Sequence, residues 1–130
     1  MNRLNNCRNI YQGDFHKVLC VCSAGILRSA TIAYVLSREP YNCNTRNCGI
    51  DDDFALIPID RVLVEWSDSI VCADTEHHDV VLNIIDNFDI KGKKVYNFNL
   101  PDNFSYRDPD LVNIIETKLL ANNFPTNGKH

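Results

Sequence analysis

From Lys17 the chain reads Val18-Leu19-Cys20-Val21-Cys22, a short apolar run of the kind that forms a strand buried on both faces. A loop then leads into Arg28–Ser37, where Ala30, Ala33, Tyr34 and Ser37, and then Ile32, Val35 and Leu36, fall on neighbouring faces of a helix. Pro40 disfavours helix at Glu39 and stops it there. A buried strand that feeds a helix through a short loop narrows the fold class, because the following strand is then expected to lie parallel after a right-handed crossover.

The rest of the chain repeats that alternation. Tyr41 to Cys48, ending at Gly49, is polar but fits an edge strand, and Asp51-Asp52-Asp53 reads as a solvated loop. Pro58 is expected near the start of a helix that runs to about Ser67, with Ile59, Val62, Leu63 and Trp66 on one face. Ser69–Ala73 reads as a second buried strand. Asp74 or Thr75 caps a helix whose apolar face is Val80, Val81, Ile84 and Ile85 and which ends by Asn87. Lys94–Phe98 is the last strand, and a loop containing Leu100-Pro101-Asp102 leads to a helix beginning near Asp108-Pro109, with Leu111, Ile114, Ile115, Lys118 and Leu119 inward. The tail from Asn122 reads as frayed. The expected architecture is a single doubly wound α/β domain over residues 1–130, with its core at about 17–120 and a four-stranded parallel sheet carrying helices on both faces. In such sheets ligands sit at the carboxyl ends of the strands beside the topological switch point, where the Cys22 loop lies if its strand is central.

Composition removes several function classes. The formal net charge of −4 and the lack of a Lys/Arg-rich stretch argue against nucleic acid as a partner. No apolar run reaches the roughly 18 residues of a spanning helix, and Met1–Asn6 leads into no signal-peptide segment, so a soluble, cytoplasmic protein is expected with no membrane partner. The six cysteines, at 7, 20, 22, 43, 48 and 72, are then expected as reduced thiols. Cys43 and Cys48 lack the second ligand pair that a zinc site needs, and no metal is expected.

The chemistry concentrates in Cys22-Ser23-Ala24-Gly25-Ile26-Leu27-Arg28-Ser29. A phosphate dianion needs several donors aimed at its oxygens, and a loop between a strand and a helix N-terminus supplies backbone N–H groups and the positive end of the helix dipole. Arg28, separated from Cys22 by five residues, can offer a planar fork to two phosphate oxygens, which a lysine cannot reproduce. The same field favours the thiolate of Cys22 as a nucleophile toward phosphorus, and Ser29 can donate to that thiolate. Gly25 suits a loop whose backbone turns its N–H groups inward, and Ser23 and Ala24 are small enough for close approach. The competing reading, a buried cysteine beside a surface arginine, does not account for a Cys-x5-Arg-Ser pattern at a strand-to-helix junction.

With this loop after the first strand, the chain resembles the low-molecular-weight protein tyrosine phosphatases over about residues 17 to 120. It is most similar to their short bacterial and phage-type branch, since Leu100-Pro101-Asp102 and Asp108-Pro109-Asp110-Leu111 match that branch's Ile-Pro-Asp segment and Asp-Pro-Glu-Leu helix start. The resemblance implies a cysteine-dependent phosphomonoester phosphatase of the phosphotyrosine type, acting without cofactor on a phosphorylated protein or small phosphomonoester. Cys22 would be the nucleophile, Arg28 the transition-state clamp, Ser29 the thiolate partner, and Ser23 to Ser29 the phosphate cradle. Asp102 would be the general acid, with Asp108 as competitor, although a carboxylate that caps a helix is already committed to backbone N–H groups. Phe104 and Ile26 would line the substrate cleft.

Three departures accompany the resemblance. Gly25 stands where family loops usually have Asn, Asn47 stands where they have a small Ser, and Leu27 replaces the second cysteine of the eukaryotic members. Asn47 is expected to supply the missing amide. Cys20 is expected to point to the opposite side from Cys22 and so not to serve as a resolving thiol. His77 and His78 read as exposed polar residues without a role, Trp66 as core, and Tyr106 as either packing or a modification site near the cleft. Two alternatives stay open: an arsenate reductase-like enzyme, which would need relay cysteines, and a non-catalytic phosphate- or phosphotyrosine-binding module.

Overall fold

The computed structural model describes residues 15–24, 27–51 and 53–128. Its elements alternate: β1 (Lys17–Cys22), α1 (Arg28–Leu36), β2 (Asn44–Gly49), α2 (Arg61–Trp66), β3 (Ser69–Cys72), α3 (Thr75–Asn87), β4 (Lys94–Asn97) and α4 (Pro109–Ala121). The four strands are all parallel in the order β2-β1-β3-β4. β1 is central, as its apolar sequence requires: Val18 through Val21 have no exposed surface.

Alternation along β1 divides the core between the two faces of the sheet. Val18, Cys20 and Cys22 pack with Ile32, Ala33 and Leu36 of α1 and with Leu111, Ile115 and Leu119 of α4. Leu19 and Val21 pack on the other side with Leu63 and Val64 of α2 and Val81 of α3. Helices therefore cover both faces, and the α/β fold is doubly wound. From β1 the chain moves outward to β2, then recrosses to β3 on the opposite side of β1. The carboxyl ends of β1 and β3 meet at that reversal, the position where open α/β sheets form ligand crevices.

Three expectations are corrected. Pro58 does not open α2. It forms a parallel bridge with Gly49, in which Gly49 N–H donates to the Ile57 carbonyl and Ile59 N–H donates to the Gly49 carbonyl. That pairing never uses the N–H that Pro58 lacks. The helix starts only after Asp60, whose Oδ1 accepts from Leu63 N–H at 2.9 Å, and the inward residues are Leu63 and Val64, while Val62 is exposed.

The segment after Asn122 is not frayed. Phe124 is buried against Tyr96, Tyr41 and the stacked ring of His16. Asn127 N–H donates to the Pro40 carbonyl, and Gly128 N–H to the Tyr41 carbonyl, at 2.7 Å each. An aromatic that can be removed from water outweighs the polar composition around it. Finally, Cys20 points to the same face as Cys22, because residues two apart in a strand share a side. Among the described residues no helix is long and apolar enough to cross a membrane.

Candidate active site

β1 delivers Cys22 to the carboxyl edge of the sheet, and both neighbouring chain segments hold it there. Ile50 N–H donates to the Cys22 carbonyl and Asp51 N–H to the Ser23 carbonyl, each at 2.9 Å, while Ala73 N–H bonds the Val21 carbonyl on the other side. Cys22 is 4% exposed, and its Sγ lies 3.1 Å from Ser29 Oγ in the first turn of α1. A thiol donates to that hydroxyl; a thiolate would instead accept from it. Leu27 occupies the N-cap position of α1 and has no side-chain acceptor for the first-turn amides. Gly25 and Ile26 lie outside the described residues; of the expected cradle the structure describes Ser23, Ala24, Leu27, Arg28 and Ser29.

Arg28 is buried at the start of α1, and a buried guanidinium requires partners. Its Nη1 donates to the Leu100 carbonyl at 2.9 Å and lies 3.9 Å from Asp74 Oδ2. Leu100 comes from the turn after β4, where Asn99 takes φ 50°, a left-handed conformation that asparagine tolerates, and Asn99 N–H donates to Asn97 Oδ1. Leu100 N–H then bonds the Ala73 carbonyl at 2.6 Å. Further along, Arg107 N–H donates to Thr31 Oγ1 at 3.0 Å, and the Arg107 guanidinium lies over the Tyr34 ring at 3.8 Å. The loop carrying Asp102 is thus fastened at both ends, to β3 and to α1.

Cys22, Ser23, Ala24, Leu27, Arg28 and Asp102 line one cavity of about 220 Å³. The thiol, the guanidinium and the carboxylate singled out in the sequence share that lining. No family model, curated protein or solved structure matches this chain. Asp108 is engaged elsewhere, since its Oδ1 accepts from Asp110 N–H at 2.9 Å as the N-cap of α4, with Pro109 as the first helical residue. Phe104 is half-buried against the α1/α4 core cluster and is not among the described residues lining the cavity. Tyr106 is 46% exposed and has the Arg107 guanidinium near its ring. Trp66 is partly buried under the Arg46 guanidinium, at 4.4 Å. Asn47 is buried in β2 beside Cys20 of β1.

The sequence reading missed His77. It is 1% exposed, not a surface residue, and it joins the loop to α3. Asp74 N–H donates to His77 Nδ1 at 3.0 Å, and His77 Nε2 lies 3.0 Å from Ser23 Oγ. The three-residue spacing from Asp74 to His77 is that of a capping box, with histidine in the place usually held by Glu or Gln, and that spacing was the available signal. Burial, and then the nearby Arg28 charge, push the His77 pKa down and favour the neutral ring. Asp74, read only as a possible cap, is also the carboxylate facing Arg28.

Three further cysteines sit apart from this chemistry. Cys48 and Cys72 pack on the α2/α3 face of the sheet, opposite to the face that holds Cys22, and Cys43 lies in the α1/α4 cluster. Burial pushes the Cys43 and Cys72 thiols up to about 12, and raises Cys48 well above the ordinary thiol range.

Proposed function

We propose that the protein is a cysteine-dependent phosphomonoester phosphatase of the low-molecular-weight tyrosine phosphatase type. The observation that carries this reading is that Cys22, Arg28 and Asp102 line one cavity, although Asp102 comes from the other end of the chain. Phosphate binding alone needs neither a nucleophile nor an acid beside the anion.

In the proposed reaction the phosphoryl group sits over the first turn of α1. Cys22, as thiolate, attacks phosphorus in line with the ester oxygen, and the P–O bond to the leaving group breaks as an S–P bond forms. Arg28 stabilises the charge on the equatorial oxygens, and its tie to Leu100 reduces the reorganisation required during transfer. Asp102 gives its proton to the leaving oxygen, then takes one from the water that attacks the phosphocysteine, releasing inorganic phosphate and the thiolate. Ser29 accepts or donates according to the state of the sulfur.

Arsenate reduction is disfavoured because its relay needs thiols that can leave their packing to reach the nucleophile, whereas Cys48 and Cys72 pack on the other face of the sheet and Cys20 and Cys43, on the Cys22 face, have no exposed surface. The deciding experiment is hydrolysis of p-nitrophenyl phosphate without metal under reducing conditions, comparing wild type with Cys22→Ser. Turnover by the wild type that Cys22→Ser abolishes supports the reading. A wild type that binds vanadate or phosphate without turnover points to a binding module instead.

A further inference from the structure

His77 sits outside the expected phosphate loop, yet its ring is committed at both nitrogens. Nδ1 accepts from Asp74 N–H at 3.0 Å and so carries no proton. The ring proton of the neutral imidazole is therefore on Nε2, which faces Ser23 Oγ at 3.0 Å. Nε2–H donates, and the Ser23 oxygen accepts. A serine hydroxyl has one proton of its own, which is then left to point away from His77. Ser23 lines the cavity together with Cys22 and Arg28.

We propose that His77 is a positioning residue that orients the Ser23 hydroxyl as a side-chain donor to an oxygen of the bound phosphoryl group. The inference rests on the phosphatase reading for the identity of the anion. Without His77, the Ser23 hydroxyl can rotate and spend part of its time as an acceptor, which opposes an anion. With His77 in place the donor is set before substrate arrives, and preorganised donors of this kind act most strongly on the charge of the transition state. The backbone amides and Arg28 are then joined by a third kind of donor, held from α3 across the switch point between β1 and β3.

Two substitutions separate this role from the cap that His77 also makes. His77→Asn keeps an acceptor near the Nδ1 position for Asp74 N–H but has nothing at Nε2. His77→Gln can present an amide N–H near the Nε2 position. The experiment measures inorganic phosphate binding by calorimetry and by competition against p-nitrophenyl phosphate for wild type, Ser23→Ala, His77→Asn, His77→Gln and the Ser23→Ala/His77→Asn double variant, with Tm recorded for each.

Ser23→Ala and His77→Asn are each expected to weaken phosphate binding and lower kcat/KM by about tenfold, the scale of one hydrogen bond to a charged group. The double variant should be no worse than Ser23→Ala alone, and His77→Gln should recover most of the loss even if its Tm falls. Equal phosphate affinity in wild type and His77→Asn, or additive losses in the double variant, overturns the positioning role while leaving the phosphatase reading intact. A wild type that neither binds phosphate nor hydrolyses the ester ends both.

Discussion

Arg28 Nη1 donates to the carbonyl oxygen of Leu100 at 2.9 Å, so the first side chain of α1 is tied to the segment that carries Asp102. The bond joins Arg28, the proposed clamp, to the loop of Asp102, the proposed acid, through one guanidinium nitrogen, and in that reading the rest of the fork is left for the anion. Arg28→Lys keeps the charge but replaces the planar fork with a compact ammonium, which loses the bidentate geometry toward phosphate. We expect kcat for p-nitrophenyl phosphate to fall by about 100-fold, with KM also raised. Steady-state kinetics that match wild type would show that the guanidinium geometry is irrelevant.

Asp102 and Asp108 differ in commitment. Asp102 lines the cavity, whereas Asp108 caps α4 through Asp110 N–H. Asp102→Asn should reduce kcat by about 100-fold for a phenyl phosphate with a poor leaving group and by much less as the leaving phenol becomes more acidic. Asp108→Ala should cost about 1 kcal/mol in urea unfolding and leave kcat nearly unchanged. A reversal of the two profiles would move the acid to Asp108.

Thiol chemistry should single out Cys22 from the three cysteines whose thiols burial disfavours as thiolates. Cys43 and Cys72 are buried, with thiols pushed up to about 12, and Cys48 is raised as well, by burial first and then by Cys22, Cys72 and Asp60. Iodoacetamide applied to the folded protein at about pH 7 should label Cys22 well before these three, and inorganic phosphate should slow that labelling. Peptide mapping that finds Cys43, Cys48 and Cys72 modified as fast as Cys22 would contradict the assignment.

His77 should give stability a pH dependence of definite sign. Its pKa is lowered from 6.5 in the folded chain, by burial and then Arg28, against smaller raising effects of Glu76 and Asp74. As the pH falls below about 6.5, the unfolded chain takes up the proton first, so the stability from the neutral ring is full above that value. It is then lost progressively down to the folded-state pKa. Urea midpoints at about pH 7.5 and about pH 5.5 should therefore differ more for wild type than for His77→Gln. Equal differences would mean that His77 titrates alike in both states.

The strand-to-helix junction at Cys22 and Arg28, the four strands, and the cap at Asp108 were legible because each rests on neighbours in the chain: an apolar run, a helical period, an Asp-Pro pair. The same local patterns, with the resemblance they carried, named Cys22, Arg28 and Asp102. Whether those three share a cavity depended on the order β2-β1-β3-β4, which puts β1 at the centre and the turn after β4 within reach of α1. Pro58 looked like a helix start until Gly49, nine residues earlier in the chain, offered a pairing that needs no proline N–H. Phe124 looked like part of a frayed tail until His16, Tyr41 and Tyr96 surrounded it. His77 is the clearest case. Its capping spacing from Asp74 was written locally, but its burial and its bond to Ser23 required β1 and β3 to lie side by side. The sequence by itself determined which segments become strands and helices and which residues can carry the chemistry, since those follow from short-range periodicity and side-chain type. Only the tertiary structure decided which of those residues meet, because contacts between distant segments are set by strand order and by which apolar faces close on each other.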